Sequence, residues 1–123
     1  MKQVEVYTDG ACRGNPGRGG FGVVLKYREF CREMSSGFRR TTNNRMEVLA
    51  VIAALEALKE PCILTIYSDS RYLIDTMEKG WLDRWRKNGW KNKSGDAVKN
   101  IDLWRRLFVA KIRHRCKFIW VKG

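Results

Sequence analysis

Apolar and β-branched residues alternate with polar ones in Val4-Glu5-Val6-Tyr7-Thr8-Asp9-Gly10, a period of two that predicts a strand near the start of the chain. The glycine-rich run that follows (Gly10, Gly14, Asn15-Pro16-Gly17, Gly19-Gly20) predicts a turn and loop, which puts Asp9 where a strand ends. A second strand is expected over Phe21–Tyr27 and a third over about Phe30 to Phe38, through Cys31 and Met34; short connections make these three an antiparallel meander. The period then changes. Met46, Leu49, Ile52, Ala53, Leu55 and Ala57 recur at steps of three and four, predicting a helix to about Lys59 with Asn43-Asn44 as N-cap candidates and Pro61 as the stop.

Ile63-Leu64-Thr65-Ile66-Tyr67-Ser68-Asp69-Ser70 repeats the first design: an apolar run, then Tyr, a hydroxyl residue and Asp. Behind it come a helical stretch from Arg71 to Lys79, another from Trp81 to about Asn88, a polar loop over Gly89–Ala97, a helix around Ile101–Ile112 and a strand over Lys117–Val121. In the last helix Leu103, Trp104, Leu107 and Phe108 should face inward. The order β, β, β, α, β, helices, β over 123 residues predicts one α/β domain.

Two matched strands ending in Asp carry the chemistry. If they lie side by side and parallel, Asp9 and Asp69 become neighbours at the edge of the sheet where open α/β folds bind ligands. A right-handed crossover helix between them would bring its own start, with Glu47, to the same edge. The plainer reading gives each Asp a capping role and pairs Glu47 with Asn44 in a capping box.

The net charge of +12 narrows the class of partner. From Lys79 onward 14 Lys or Arg face three acids, so that part holds +11 and the first 78 residues only +1. Such a lopsided field suits a polyanion, nucleic acid above all, against the alternative of a merely solvated basic face. No apolar run approaches the ~20 residues that cross a bilayer, and Met1-Lys2-Gln3-Val4 shows no signal-peptide pattern, so a cytoplasmic location without membrane contact is expected. Cys12, Cys31, Cys62 and Cys116 form no C-x-x-C pair and stand with a single His, which argues against zinc and for free thiols.

Asp9, Glu47 and Asp69 together would repel unless a cation lay between them, and hard carboxylate oxygens suit Mg²⁺ or Mn²⁺. Beside a basic, Trp-bearing segment this points to phosphodiester hydrolysis. The competing chemistry, an aspartyl-nucleophile phosphatase, wants a second Asp where the chain has Ala11.

The chain closely resembles the type 1 ribonuclease H family of the bacterial kind. The matching stretches are Tyr-Thr-Asp-Gly-Ala-Cys-Arg-Gly-Asn-Pro-Gly at 7–17, Thr-Thr-Asn-Asn-Arg-Met-Glu at 41–47, Tyr-Ser-Asp-Ser at 67–70, Trp81 with Trp85, Gly89-Trp90-Lys91, Val-Lys-Asn-Ile-Asp-Leu-Trp at 98–104 and Trp-Val-Lys-Gly at 120–123. The resemblance implies a mixed five-stranded sheet of order 3-2-1-4-5, strand 2 antiparallel, with helices on both faces. It also implies an endonuclease that cuts the RNA strand of an RNA–DNA hybrid, with two Mg²⁺ or Mn²⁺ ions per site when substrate is present. Asp9, Glu47 and Asp69 would be the catalytic, metal-binding acids. Cys12, Asn15, Asn43, Asn44 and Arg71 would grip the minor groove, where 2′-hydroxyls tell RNA from DNA, although Arg71 stands where the family usually has Gln. Arg40, Thr42 and Asn100 would hold a DNA-strand phosphate. Residues 79–97, with Trp81, Trp85, Lys87, Trp90 and Lys91, would form a basic substrate handle, the alternative for these Trp being a small satellite core. Satellite packing is the expectation for Trp104 and Trp120.

In the family, the strand matching Trp120–Gly123 is followed by a loop His and a last helix carrying a fourth acid, and the sequence stops before them. His114 precedes the strand and cannot replace that loop His. The expectation is therefore a domain cut short at its C-terminus. A hybrid-binding module with weak catalysis is the alternative function, and the expected monomer would be open to self-association if the last helix is missing.

Overall fold

A computed structural model describes all 123 residues. The strands are β1 (Lys2–Cys12), β2 (Gly17–Tyr27), β3 (Phe30–Thr41), β4 (Cys62–Ser68) and β5 (Arg115–Trp120); the helices are α1 (Asn43–Ala57), α2 (Arg71–Glu78), α3 (Trp81–Lys87) and α4 (Ile101–Lys111). They form one sheet in the expected order β3-β2-β1-β4-β5, with β1–β2 and β2–β3 antiparallel and β1–β4 and β4–β5 parallel.

Alternation decides which face is buried. Val4 and Val6 of β1 and Cys62, Leu64, Ile66 and Ser68 of β4 point into the core, whereas Gln3, Glu5 and Tyr7 are exposed. All four helices contribute side chains to the single hydrophobic cluster on the buried face. Helices were expected on both faces; those described lie on one, and across the centre of the other Tyr7 stacks on Tyr67 with ring centroids 4.8 Å apart.

Both strands around the glycine run are longer than the sequence suggests. β1 continues to Cys12 and β2 begins at Gly17, so Gly10, Gly17, Gly19 and Gly20 are strand residues rather than loop. Asp9 therefore does not end a strand. Its significance is different: parallel pairing of β1 with β4 stops at Tyr7–Tyr67, while pairing with β2 runs on through Asp9–Gly22. Asp9 sits just past the point where β1 and β4 part company.

The expected helix starts at Asn43, capped by Thr42, whose hydroxyl oxygen accepts from the Arg45 amide at 3.2 Å. Asn43 and Asn44 are thus inside the helix. α1 lies between the sheet and α4 and is buried almost all round, through Met46, Glu47, Val48, Ala50, Val51, Ile52, Ala54 and Leu55. Its alanines allow that close approach on two sides, and Leu49 and Ala53 end up half-buried.

Candidate active site

Three elements deliver the three acids. Asp9 projects from β1, Asp69 follows the last residue of β4, and Glu47 comes from the first turns of α1. One carboxylate oxygen from each lies within 4.8 Å of the others, with Asp9 and Asp69 exposed and Glu47 buried. The predicted convergence is therefore present, and the capping box is not: Glu47 Oε1 accepts from the Gly10 amide at 2.5 Å and Oε2 from the Ser68 hydroxyl at 3.3 Å. α1 can come this close only because position 10 lacks a side chain. A Cβ there would stand 2.7 Å from the Glu47 nitrogen and the Met46 carbonyl carbon.

Burial pushes the Glu47 carboxyl up to about 7, the Gly10 amide opposes that shift, and the Asp69 and Asp9 charges reinforce it. A group of oxygen donors held together against their own repulsion fits a hard divalent cation, and no Cys or His belongs to the cluster.

Asp69 is braced from behind. The Trp120 indole N–H donates to the Asp69 carbonyl oxygen at 3.1 Å, and the Val121 amide donates to the Ser68 carbonyl at 3.0 Å. Ser68 Oγ accepts from the Ser70 amide at 3.1 Å, and Ser70 caps α2 through the Leu73 amide. Trp120 departs from its expected place in a satellite core: it is 37% exposed, with the Arg71 guanidinium 3.8 Å above its ring. Stacking of this kind fixes the direction of a charged side chain at the rim of the site. Sequence reasoning missed Ser68, Gly10 and Trp120 as parts of the site. Ser68 was adjacent to a singled-out Asp, but nothing in the alternation of β5 announces where its last indole points.

On the other flank, the Cys12 thiol reaches the Thr41 carbonyl at 3.2 Å and the Gly17 carbonyl at 3.4 Å, and the Asn43 amide donates to Asn15 Oδ1 at 3.3 Å. These contacts bring Cys12, Asn15, Thr42 and Asn43 together at the start of α1. Thr42 spends an oxygen lone pair on its cap and keeps its hydroxyl hydrogen. Asn100 is more committed: Oδ1 accepts from Arg45 at 3.2 Å and Nδ2 donates to the Tyr72 hydroxyl at 3.1 Å. Arg45 also forks onto Asp102 at 3.0 and 2.7 Å, fastening α1 to α4.

Within residues 79–97, Trp81, Arg84, Trp85, Asn88, Lys91, Asn92, Lys93 and Ser94 line a groove of about 410 Å³. Trp81 and Trp85 are half-buried with ring centroids 6.3 Å apart, and Trp85 leans on buried Trp104 at 5.9 Å. Trp104 packs inward as expected, but in the main hydrophobic cluster rather than in a satellite one. Lys87 is exposed outside the groove lining, and Trp90 packs against the core with Arg105 over its ring.

A mixed β3-β2-β1-β4-β5 sheet with acids gathered where β1 and β4 diverge defines the ribonuclease H-like class of α/β proteins. The profile of the RNase H family matches residues 1–123, and the chain belongs to that family. It is 57% identical over 123 residues to a ribonuclease H of Syntrophus aciditrophicus (strain SB), covering all of this chain and 71% of that protein. Among solved structures it is similar to LC9-RNase H1, a type 1 RNase H with the type 2 active-site motif: TM-score 0.87, 34% identity, covering all of this chain and 64% of that one. LC11-RNase H1, solved in complex with RNA/DNA hybrid, shares the fold with TM-score 0.75 at 24% identity, over 97% of this chain and 85% of that one.

Proposed function

We propose that this chain hydrolyses the RNA strand of RNA–DNA hybrids, with Asp9, Glu47 and Asp69 holding divalent metal, Mg²⁺ or Mn²⁺, as two ions when substrate is bound. The observation that carries the reading is the convergence of these three carboxylates within 4.8 Å in a chain that belongs to the RNase H family. Bound there, such ions would supply Lewis acidity at a phosphate and lower the pKa of a water.

The chain's own residues divide the remaining work. Glu47, fixed by Gly10 and Ser68, sets the floor of the site, and the exposed Asp9 and Asp69 present their oxygens to the groove. Asn15, Asn43, Asn44 and Cys12 line the flank at the start of α1, where a 2′-hydroxyl of the RNA strand would be read. Arg71, aimed by Trp120, offers a charge-assisted donor on the opposite flank. Thr42 supplies a hydroxyl, and Arg40 a guanidinium, for a phosphate of the DNA strand; Asn100 would contribute by holding Arg45 and α4 in place rather than with a free amide. The 79–97 region with Trp81, Trp85, Trp90, Lys87 and Lys91 would take the backbone further along the duplex. Four unpaired thiols suit a reducing, cytoplasmic setting.

The test is substrate selectivity with labelled duplexes. RNA–DNA hybrid should be cut in its RNA strand in Mg²⁺ or Mn²⁺, all-DNA and all-RNA duplexes should stay intact, and a chelator should abolish cutting. Equal cleavage of hybrid and all-RNA duplex would refute the reading.

A further inference from the structure

The basic residues of the first 78 positions are not spread evenly. Gly17 of β2 pairs with Thr41 of β3 and Gly19 pairs with Phe38, so the single residue Arg18 stands opposite two, Arg39 and Arg40, in a β-bulge. Arg13 closes on the same point, its amide donating to the Arg18 carbonyl at 2.7 Å. The turn is that tight because position 17 is glycine: a Cβ there would lie 1.7 Å from the Arg13 carbonyl oxygen. All four arginines are exposed, and none of their guanidinium groups takes part in any of the three ion pairs or in a hydrogen bond.

No acid forms an ion pair with the four guanidinium groups around this bulge, so their positive charge stays available to an anionic partner. Bulges commonly re-aim side chains at the rim of a sheet. The loop is tied, through Asn15 Oδ1 and the Asn43 amide, to the N-terminus of α1 beside Thr42. The patch is therefore continuous with the flank assigned to the DNA-strand phosphate, and it lies at the β3 edge, the opposite end of the strand order from β5. Guanidinium is the side chain best matched to phosphate oxygens, through its fork of donors.

We propose that Arg13, Arg18 and Arg39, adjoining Arg40 of the Thr42 pocket, form a second phosphate-binding surface that takes the hybrid's backbone beyond that pocket, on the far side from the 79–97 region. The proposal rests on the hybrid-cleaving reading of the site, and it makes the protein's footprint on the duplex longer than the acids and the handle alone require.

The experiment compares the salt dependence of hybrid binding by the full chain and by the double variant Arg18→Ala/Arg39→Ala. The probes are a long hybrid and one trimmed so that no phosphate lies beyond the Thr42 pocket. On the long hybrid, two lost phosphate contacts should make the log-log slope shallower by about 1.8, from about 0.9 per phosphate. On the trimmed hybrid the slopes of parent and variant should coincide. A control, Arg115→Ala/Lys117→Ala on the β5 edge, removes the same charge elsewhere and should leave the long-hybrid slope at the parent value. Since Arg18 and Arg39 have no partners in the fold, both proteins should melt together. A parent slope retained by the double variant, or lost equally in the β5 control, overturns the second surface. A parent that fails to cut hybrid at all overturns the reading of the acid cluster instead.

Discussion

Glu47 is the residue on which the site's electrostatics turn, because its anchoring by Gly10 and Ser68 keeps a carboxylate buried beside two others. Its folded pKa lies near 7, above the ordinary 4.5, so the folded state holds that proton more tightly than the unfolded one. The stability this supplies is present below about pH 4.5 and is lost as pH rises through about 7. Metal-free protein should thus lose stability across that window, and millimolar Mg²⁺ should restore it most at the alkaline end, where metal and proton no longer compete. Thermal melts at several pH values, with and without metal, check this; equal stabilisation by Mg²⁺ at pH 5 and pH 8 would contradict it. His114 behaves oppositely, at the other end of the sheet. Its Nδ1 accepts from the Cys62 amide at 3.0 Å; burial first, then the Arg113 charge, holds it below 6.5 against a smaller opposing pull from the Leu55 carbonyl beside the ring. Its contribution is present above pH 6.5 and is lost as pH falls below that value. His114→Asn, which keeps an acceptor but cannot titrate, should flatten the acid side of the stability profile. An unaltered acid limb would show that His114 is not responsible for it.

At the scale of elements, the closest approach in the site is between β1 and α1. Gly10→Ala should force α1 outward, since its Cβ meets helix backbone rather than a movable side-chain end. The expected cost is on the order of 1–3 kcal/mol in stability, by analogy with overpacked cores, together with a large loss of cleavage as Glu47 leaves the cluster. A variant as stable and as active as the parent would show that the approach tolerates a methyl group. The handle makes a finer distinction. Lys91 lines the groove with Trp81 and Trp85 while Lys87 lies outside it, so Lys91→Ala should flatten the salt dependence of hybrid binding more than Lys87→Ala. Equal slopes for the two variants would mean that the groove is not the contact. The same elements show how far the sequence could be read. Matched Tyr-hydroxyl-Asp triplets on two apolar runs and the three-four spacing of α1 were enough to place Asp9, Glu47 and Asp69 together. The strand limits were not legible, because Gly10, Gly17 and Gly19 give turn signals locally and are there for close contacts with α1, with Arg13 and with Thr41. The cap fell on Thr42 rather than Asn43 because choosing among consecutive polar residues depends on backbone geometry. The place of Trp120 beside Asp69 is not legible either, because it follows only from the parallel register of β4 and β5, which pairs Trp120 with Ser68.

For the whole molecule, the fold combines two opposed demands. Glycines and a buried glutamate draw negative charge together, while residues 79–97 and the arginines of the β2–β3 bulge carry positive charge that has few internal partners. Such an arrangement is costly in isolation and becomes favourable when a cation and a phosphate backbone arrive together. The direct test is RNA-strand cleavage of a labelled hybrid by the parent and by Asp9→Asn, with hybrid binding measured on the same samples. Metal-dependent cutting is expected of the parent and none of Asp9→Asn, with binding by the variant as tight as the parent's or tighter, since an amide is a poor metal ligand but no longer repels phosphate. Cleavage by Asp9→Asn at the parent rate would contradict it.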